Sequence, residues 1–168
     1  MQHARRHKTG FTYIGILILI AIIGISTAAT LKLGAIMQRR IAEERLLTIG
    51  SEFRNALESY ANASAPGRPR SPRSLQDLLK DPRSPALRRH LRTIYIDPIT
   101  GDDHWGLVPT ISGPGIAGIY SLAQGTPIKI GNFEPRFEDF EGQLSYQNWI
   151  FAPPTSAITV AGTVPPRR

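Results

Sequence analysis

Residues Phe11 to Leu31 read Phe-Thr-Tyr-Ile-Gly-Ile-Leu-Ile-Leu-Ile-Ala-Ile-Ile-Gly-Ile-Ser-Thr-Ala-Ala-Thr-Leu and contain no charged side chain. As a helix this run spans roughly 30 Å, about the thickness of a hydrocarbon core. A chain of 168 residues has too little other material to wrap such a helix on all sides, so the run predicts a membrane-spanning helix rather than a buried one. A cleaved secretory signal is the competing reading. Its apolar region should be shorter, roughly 7 to 15 residues, and should end in a small-x-small site, which Ser26 to Ala29 imitates.

Charge around the span sets its direction. The chain carries a formal net charge of +7, and that excess is unevenly placed. Met1 to Gly10 carries Arg5, Arg6 and Lys8 with no acid, and 66–92 holds eight basic residues against Asp77 and Asp81. Residues 93–168 hold four basic and seven acidic residues. Positive residues stay in the cytoplasm, so the leader predicts a cytoplasmic N-terminus and an exported remainder.

Helical periodicity continues past the span. Leu46, Ile49, Phe53, Leu57 and Tyr60 recur at intervals of three and four, with Glu43, Glu44, Arg45, Glu52, Arg54 and Glu58 between them. The helix is therefore expected to run to about Asn62, roughly 75 Å in all, with the stripe packed on the protein's own head and Ala65-Pro66-Gly67 ending it. Gly50 marks a bend or a close-packing position. Ser74 with Asp77 predicts a short helix over Leu75 to Lys80, and Ser84-Pro85 starts another to about Leu91. Gly and Pro then punctuate β-prone runs at Gly106 to Ile111, Gly115 to Leu122, Pro127 to Ile130 and Leu144 to Phe151.

The leader ending in Gly10, followed by Phe11, Thr12 and the aliphatic run with Ile22-Ile23-Gly24-Ile25, resembles the class III signal of type IV pilins and type II secretion pseudopilins. Weaker marks extend the likeness: Tyr95-Ile96-Asp97-Pro98 and Trp105-Gly106 are similar to segments of PulG-like proteins, and Gly115 to Ser121 and Tyr146-Gln147-Asn148-Trp149 are consistent with them. The resemblance implies a pilin-like α+β fold, a long N-terminal helix on a small antiparallel sheet. It divides the chain into a cleaved leader (1–10), a membrane half of the helix (11–31), an exported half (32–62), a periplasmic head (63–152) and a flexible tail (153–168).

The same resemblance implies cleavage after Gly10 by a prepilin peptidase on the cytoplasmic face, with methylation of Phe11. The chain would then be a structural subunit of a periplasmic pseudopilus for type II secretion. It would wait in the bacterial inner membrane among other pseudopilins and an inner-membrane assembly platform. The family usually has Glu four residues after the phenylalanine, and this chain has Gly15. That departure favours a minor or atypical subunit, with Gly15 and Gly24 as close-approach positions between helices. The alternatives are a minor type IV pilin, a competence-type DNA-binding pilin, or an uncleaved bitopic periplasmic binding protein.

No His-Glu-x-x-His, Walker-type loop or Gly-x-Ser-x-Gly occurs, and two of the four histidines lie in the leader, so no enzyme is expected. The chain has no cysteine, which excludes disulfides and thiol chemistry. Asp97, Asp102 and Asp103 form the one candidate metal cluster, for calcium, against the plainer reading of solvated turn residues. No other cofactor is expected. Arg68, Arg70, Arg73, Arg88 and Arg89 are candidates for docking an acidic partner. DNA is the weaker reading, since no aromatic platform is interleaved there.

Overall fold

A computed structural model describes residues 10–111 and 113–154, without the side chains of residues 10–12 and 24–33. The chain divides at Arg39 and Arg40 into two compact units. In the first unit the described backbone belongs to helix α1, Gly10–Asn62, and the side chains from Tyr13 to Ile23 are exposed. Among the described residues no helix is long and apolar enough to cross a membrane. The side chains of Phe11, Thr12 and 24–31, nearly half of the predicted span, stand outside that description.

The second unit is α+β. It contains the rest of α1, a one-turn helix α2 (Gln76–Leu79), strands β1 (Trp105–Pro109) and β2 (Ile116–Ser121), and 3-10 segments at Pro135–Phe140 and Tyr146–Asn148. The strands pair antiparallel, Trp105 opposite Ser121, with a register shift between Val108 and Pro109. Proline cannot donate to a ladder, which suits its place at the strand end. Phe151 adds a single bridge to Ile119, with both backbone bonds made.

The predicted stripe on α1 is the spine of the core. Leu46, Phe53, Leu57 and Tyr60 are buried with Ala56, and Ile49 packs at the margin. Each such side chain contributes about 1.5 to 3 kcal/mol through burial. Across from them lie Leu78, Leu91, Trp105, Ile119, Phe137, Phe140, Tyr146, Trp149 and Phe151. The rings interlock, for example Phe140 stacked on Trp149 with centroids 5.6 Å apart and Phe53 tilted against Trp105 at 5.2 Å. Gly50 is a close-packing position: a Cβ there would lie 2.2 Å from two atoms of the Phe151 ring. The glycine is what lets that aromatic approach the helix so closely.

Three expected elements take another form. The segment expected to be helical from Ser84 to Leu91 is not, because its backbone is committed to distant partners. Arg88 C=O accepts from Asp81 N–H, and Leu78 C=O accepts from both His90 and Leu91 N–H. Pro127 to Ile130 is not a strand, since the Ile128 and Lys129 amides donate to the Glu43 carboxylate. Leu144 to Phe151 forms a 3-10 turn and one bridge in place of a strand. The helix expected over Leu75 to Lys80 exists in shortened form. Asp77 there accepts from the Ser74 N–H and hydroxyl, the returning half of a capping box only, since the Asp77 N–H donates to the Ser74 carbonyl and not to its hydroxyl.

Candidate functional site

The predicted processing and assembly residues belong to the first unit. Gly10 opens α1. The Phe11 and Gly24 side-chain positions lie outside the described residues. A Cβ at Gly15 would meet nothing, so this position is open to a neighbour within its unit.

The aspartates separate. Asp97 is fully buried, one oxygen accepting from Ile99 N–H at 2.9 Å and the other from the Ser121 hydroxyl at 2.5 Å. Its backbone closes the turn, accepting from Gly101 N–H, and Gly101 sits at φ 77° where a side chain is disfavoured. Asp97 is therefore a fold residue that ties the 97–101 turn to β2. Asp102 and Asp103 are exposed and gather instead with His104, whose Nδ1 lies 2.7 Å from Asp102 and 3.3 Å from Asp103. The hydrogen bond from Asp102 and the two carboxylate charges push the imidazole above its ordinary range. Calcium takes six to eight oxygens, waters and backbone carbonyls included, and the three aspartates expected to supply them do not form one set, because Asp97 is committed to the fold.

The docking arginines divide as well. All five of Arg68, Arg70, Arg73, Arg88 and Arg89 are exposed. Arg70 and Arg73 line a groove of about 650 Å³ whose walls are α1, the loop 69–73, the β1–β2 connection and Pro153. Arg68, Arg88 and Arg89 do not line it.

Sequence reasoning missed two buried polar centres. The first is Glu43, assigned to the polar side of the stripe but only 1% exposed. It accepts from Ile128 N–H at 2.7 Å, Lys129 N–H at 2.9 Å and the Tyr146 hydroxyl at 2.5 Å. A carboxylate so saturated acts as a clamp, tying α1 to chain more than eighty residues away. The second centre is built on Asp81. Arg83 donates to both of its oxygens, at 2.9 and 2.8 Å, and also reaches Ser64, the Pro69 carbonyl and the Tyr60 carbonyl. The guanidinium lies 3.5 Å over the Tyr60 ring, a close cation–π arrangement. Arg83 holds the Asp81 carboxyl far below the usual carboxylate range.

His90 completes this second centre, with Nε2 3.3 Å from Asp81 and Nδ1 2.8 Å from the Ser59 hydroxyl. A serine, a histidine and an aspartate in contact invite a catalytic reading. Here the imidazole is 2% exposed, and both oxygens of Asp81 are bonded by Arg83, which neutralises the charge that would polarise the ring. The cluster is a structural staple between the end of α1 and 81–90. Its available signal in the sequence was Asp-Pro-Arg at 81–83, since an acid two residues before Arg can close a local turn. Compared with known proteins, the chain matches no family model, no curated protein and no solved structure.

Proposed function

We propose that the chain is a structural filament subunit, a minor or atypical pseudopilin of a type II secretion pseudopilus, anchored in the inner membrane with its head in the periplasm. The observation that carries this reading is the basic leader ending in Gly10, followed at once by the uncharged run Phe11 to Leu31, on a helix that continues unbroken to Asn62. The exported half of that helix is the spine of an α+β unit. This is the arrangement an anchored subunit needs: one element that can be held in a bilayer at one end and support a folded head at the other.

A cut placed before the span keeps the anchor, whereas a cut after it releases the head. Gly15, standing where a carboxylate is usual, favours a minor or atypical subunit over the major building block, because an isolated acid in lipid is costly and is kept for a function. The tests are fractionation and cross-linking in a host that carries the secretion machinery. The chain should be recovered in cross-linked species with other pseudopilins, and that recovery should require the prepilin peptidase. Recovery as an isolated membrane protein, with or without the peptidase, overturns the proposal.

A further inference from the structure

The groove that holds Arg70 and Arg73 has an apolar floor. Leu57 and Ala61 of α1, Ile116 of β2 and the exposed Ile111 line it, and Glu58 is its one acid. Among the described residues, neither Arg70 nor Arg73 has a hydrogen-bonded or ion-paired side-chain partner. A concave apolar surface bordered by two guanidinium groups and a single acid fits a protruding acidic segment with an apolar tip.

This chain carries such a segment. Glu138 and Asp139 are exposed on the 3-10 segment Pro135–Phe140. Leu144, 72% exposed, and Ile130, 65% exposed, flank them. The Gly142 amide donates to the Ile130 carbonyl and the Gln143 side chain to the Asp139 carbonyl, so these residues form one surface. Glu134 on the same segment is occupied by Arg136 at 2.8 Å, and Glu141 accepts from Asn132 N–H. Glu138 and Asp139 are left without such partners among the described residues.

The two surfaces attach to different levels of one helix. The acidic segment is held by Arg54 on the Arg136 carbonyl, about one turn before the groove, and the chain leading to it by Glu43 on the 128–129 amides. The groove begins only at Leu57 and ends at Asn62. Complementary surfaces at different levels cannot pair across a two-fold axis that runs along their displacement, which is the only two-fold open to copies sharing one orientation in a membrane. They join copies in a heterologous, head-to-tail manner that need not close.

We propose that the occupant of the Arg70–Arg73 groove is the acidic segment of a second copy of this chain, with Glu138 and Asp139 on the arginines and Leu144 on the apolar floor. The contact is small, and confinement of copies in one membrane supplies the effective concentration that a small contact needs. It deepens the filament reading and rests on it for that membrane setting. With Gly15 replacing the usual carboxylate, it also gives such a subunit a polar contact that sets register in its head.

The absence of cysteine makes the test direct. Two differently tagged full-length copies, one Ile111→Cys and the other Leu144→Cys, are co-expressed and oxidised in membranes. The mixed disulfide dimer should form well above the Ile111→Cys and Leu144→Cys homodimers. Arg70→Glu with Arg73→Glu in the first copy should lower its yield roughly tenfold or more, as like charges brought face to face do. Glu138→Arg with Asp139→Arg in the second copy should restore it. All the substituted positions are exposed, and circular dichroism confirms that each variant folds. Absence of the mixed dimer, a yield indifferent to charge reversal, or failure of the paired reversal to restore it overturns the contact. Charge-dependent cross-linking in a chain that retains Met1 keeps the contact and removes the pseudopilin reading; a Phe11 N-terminus with no cross-link does the reverse.

Discussion

Single side chains in this head carry more than their residue type suggests. Glu43 is the clearest case, a buried acid whose three donors come from two segments far along the chain. Replacing it with Ala leaves two amides and a phenol without their acceptor, each costing about 1 to 3 kcal/mol if it stays dry. Glu43→Ala should therefore destabilise the head by at least about 2 kcal/mol, measured by urea unfolding of the full chain in detergent. Glu43→Gln should fall between that variant and the parent, since it keeps one acceptor oxygen.

Asp81 gives a second residue-scale expectation, with a defined pH direction. Its folded pKa is depressed by Arg83, and an unfolded aspartate titrates near about 3.9. The stabilisation is therefore fully present above about pH 4 and is lost as pH falls toward and through the folded value. Asp81→Asn should remove this acid-side dependence and lower stability at neutral pH by about 3 to 5 kcal/mol, the range for breaking a buried pair. An unchanged acid limb in Asp81→Asn would show that the Asp81–Arg83 pair is not its source.

At the scale of elements, α1 and the hairpin were legible because local pattern and final packing agree. The apolar stripe at helical spacing became the buried face, the Pro66-Gly67 pair lies just beyond the helix end at Asn62, β2 falls within the run Gly115 to Leu122, and β1 overlaps the run Gly106 to Ile111 but starts one residue earlier, at Trp105. Segments governed by distant bonds were not legible. Nothing local in Ser84 to Leu91 announces that Leu78 C=O will take two of its amides. Nothing in Pro127 to Ile130 announces Glu43. The candidate metal loop was readable only as a turn, since the burial of Asp97 depends on Ser121 in another element. The groove was legible by half: arginines in a Pro-rich loop were visible, but the hairpin residues that complete it were not.

Gly50 tests whether packing or propensity governs α1. Ala is favoured over Gly in a helix by about 1 kcal/mol, so an unpacked Gly50→Ala should stabilise. Phe151 occupies the space of that methyl group, so the variant should destabilise by about 1 to 3 kcal/mol through overpacking. Thermal unfolding of Gly50→Ala, with and without Phe151→Ala, reads the coupling. Phe151→Ala should cost less when combined with Gly50→Ala than it does in the parent.

For the whole molecule, a polarised charge map replaces the plain description of a basic protein. The leader and 66–92 hold the positive excess, while the residues from Thr93 onward are net acidic. The leader is the part of that charge which the filament reading removes, leaving Phe11 as the first residue of the mature chain. Mass spectrometry of the protein purified from membranes of a host with the secretion machinery tests this most directly. The account predicts a chain that begins at Phe11 with a methylated amine, cut after Gly10. A chain that still begins at Met1 in the presence of an active prepilin peptidase contradicts it.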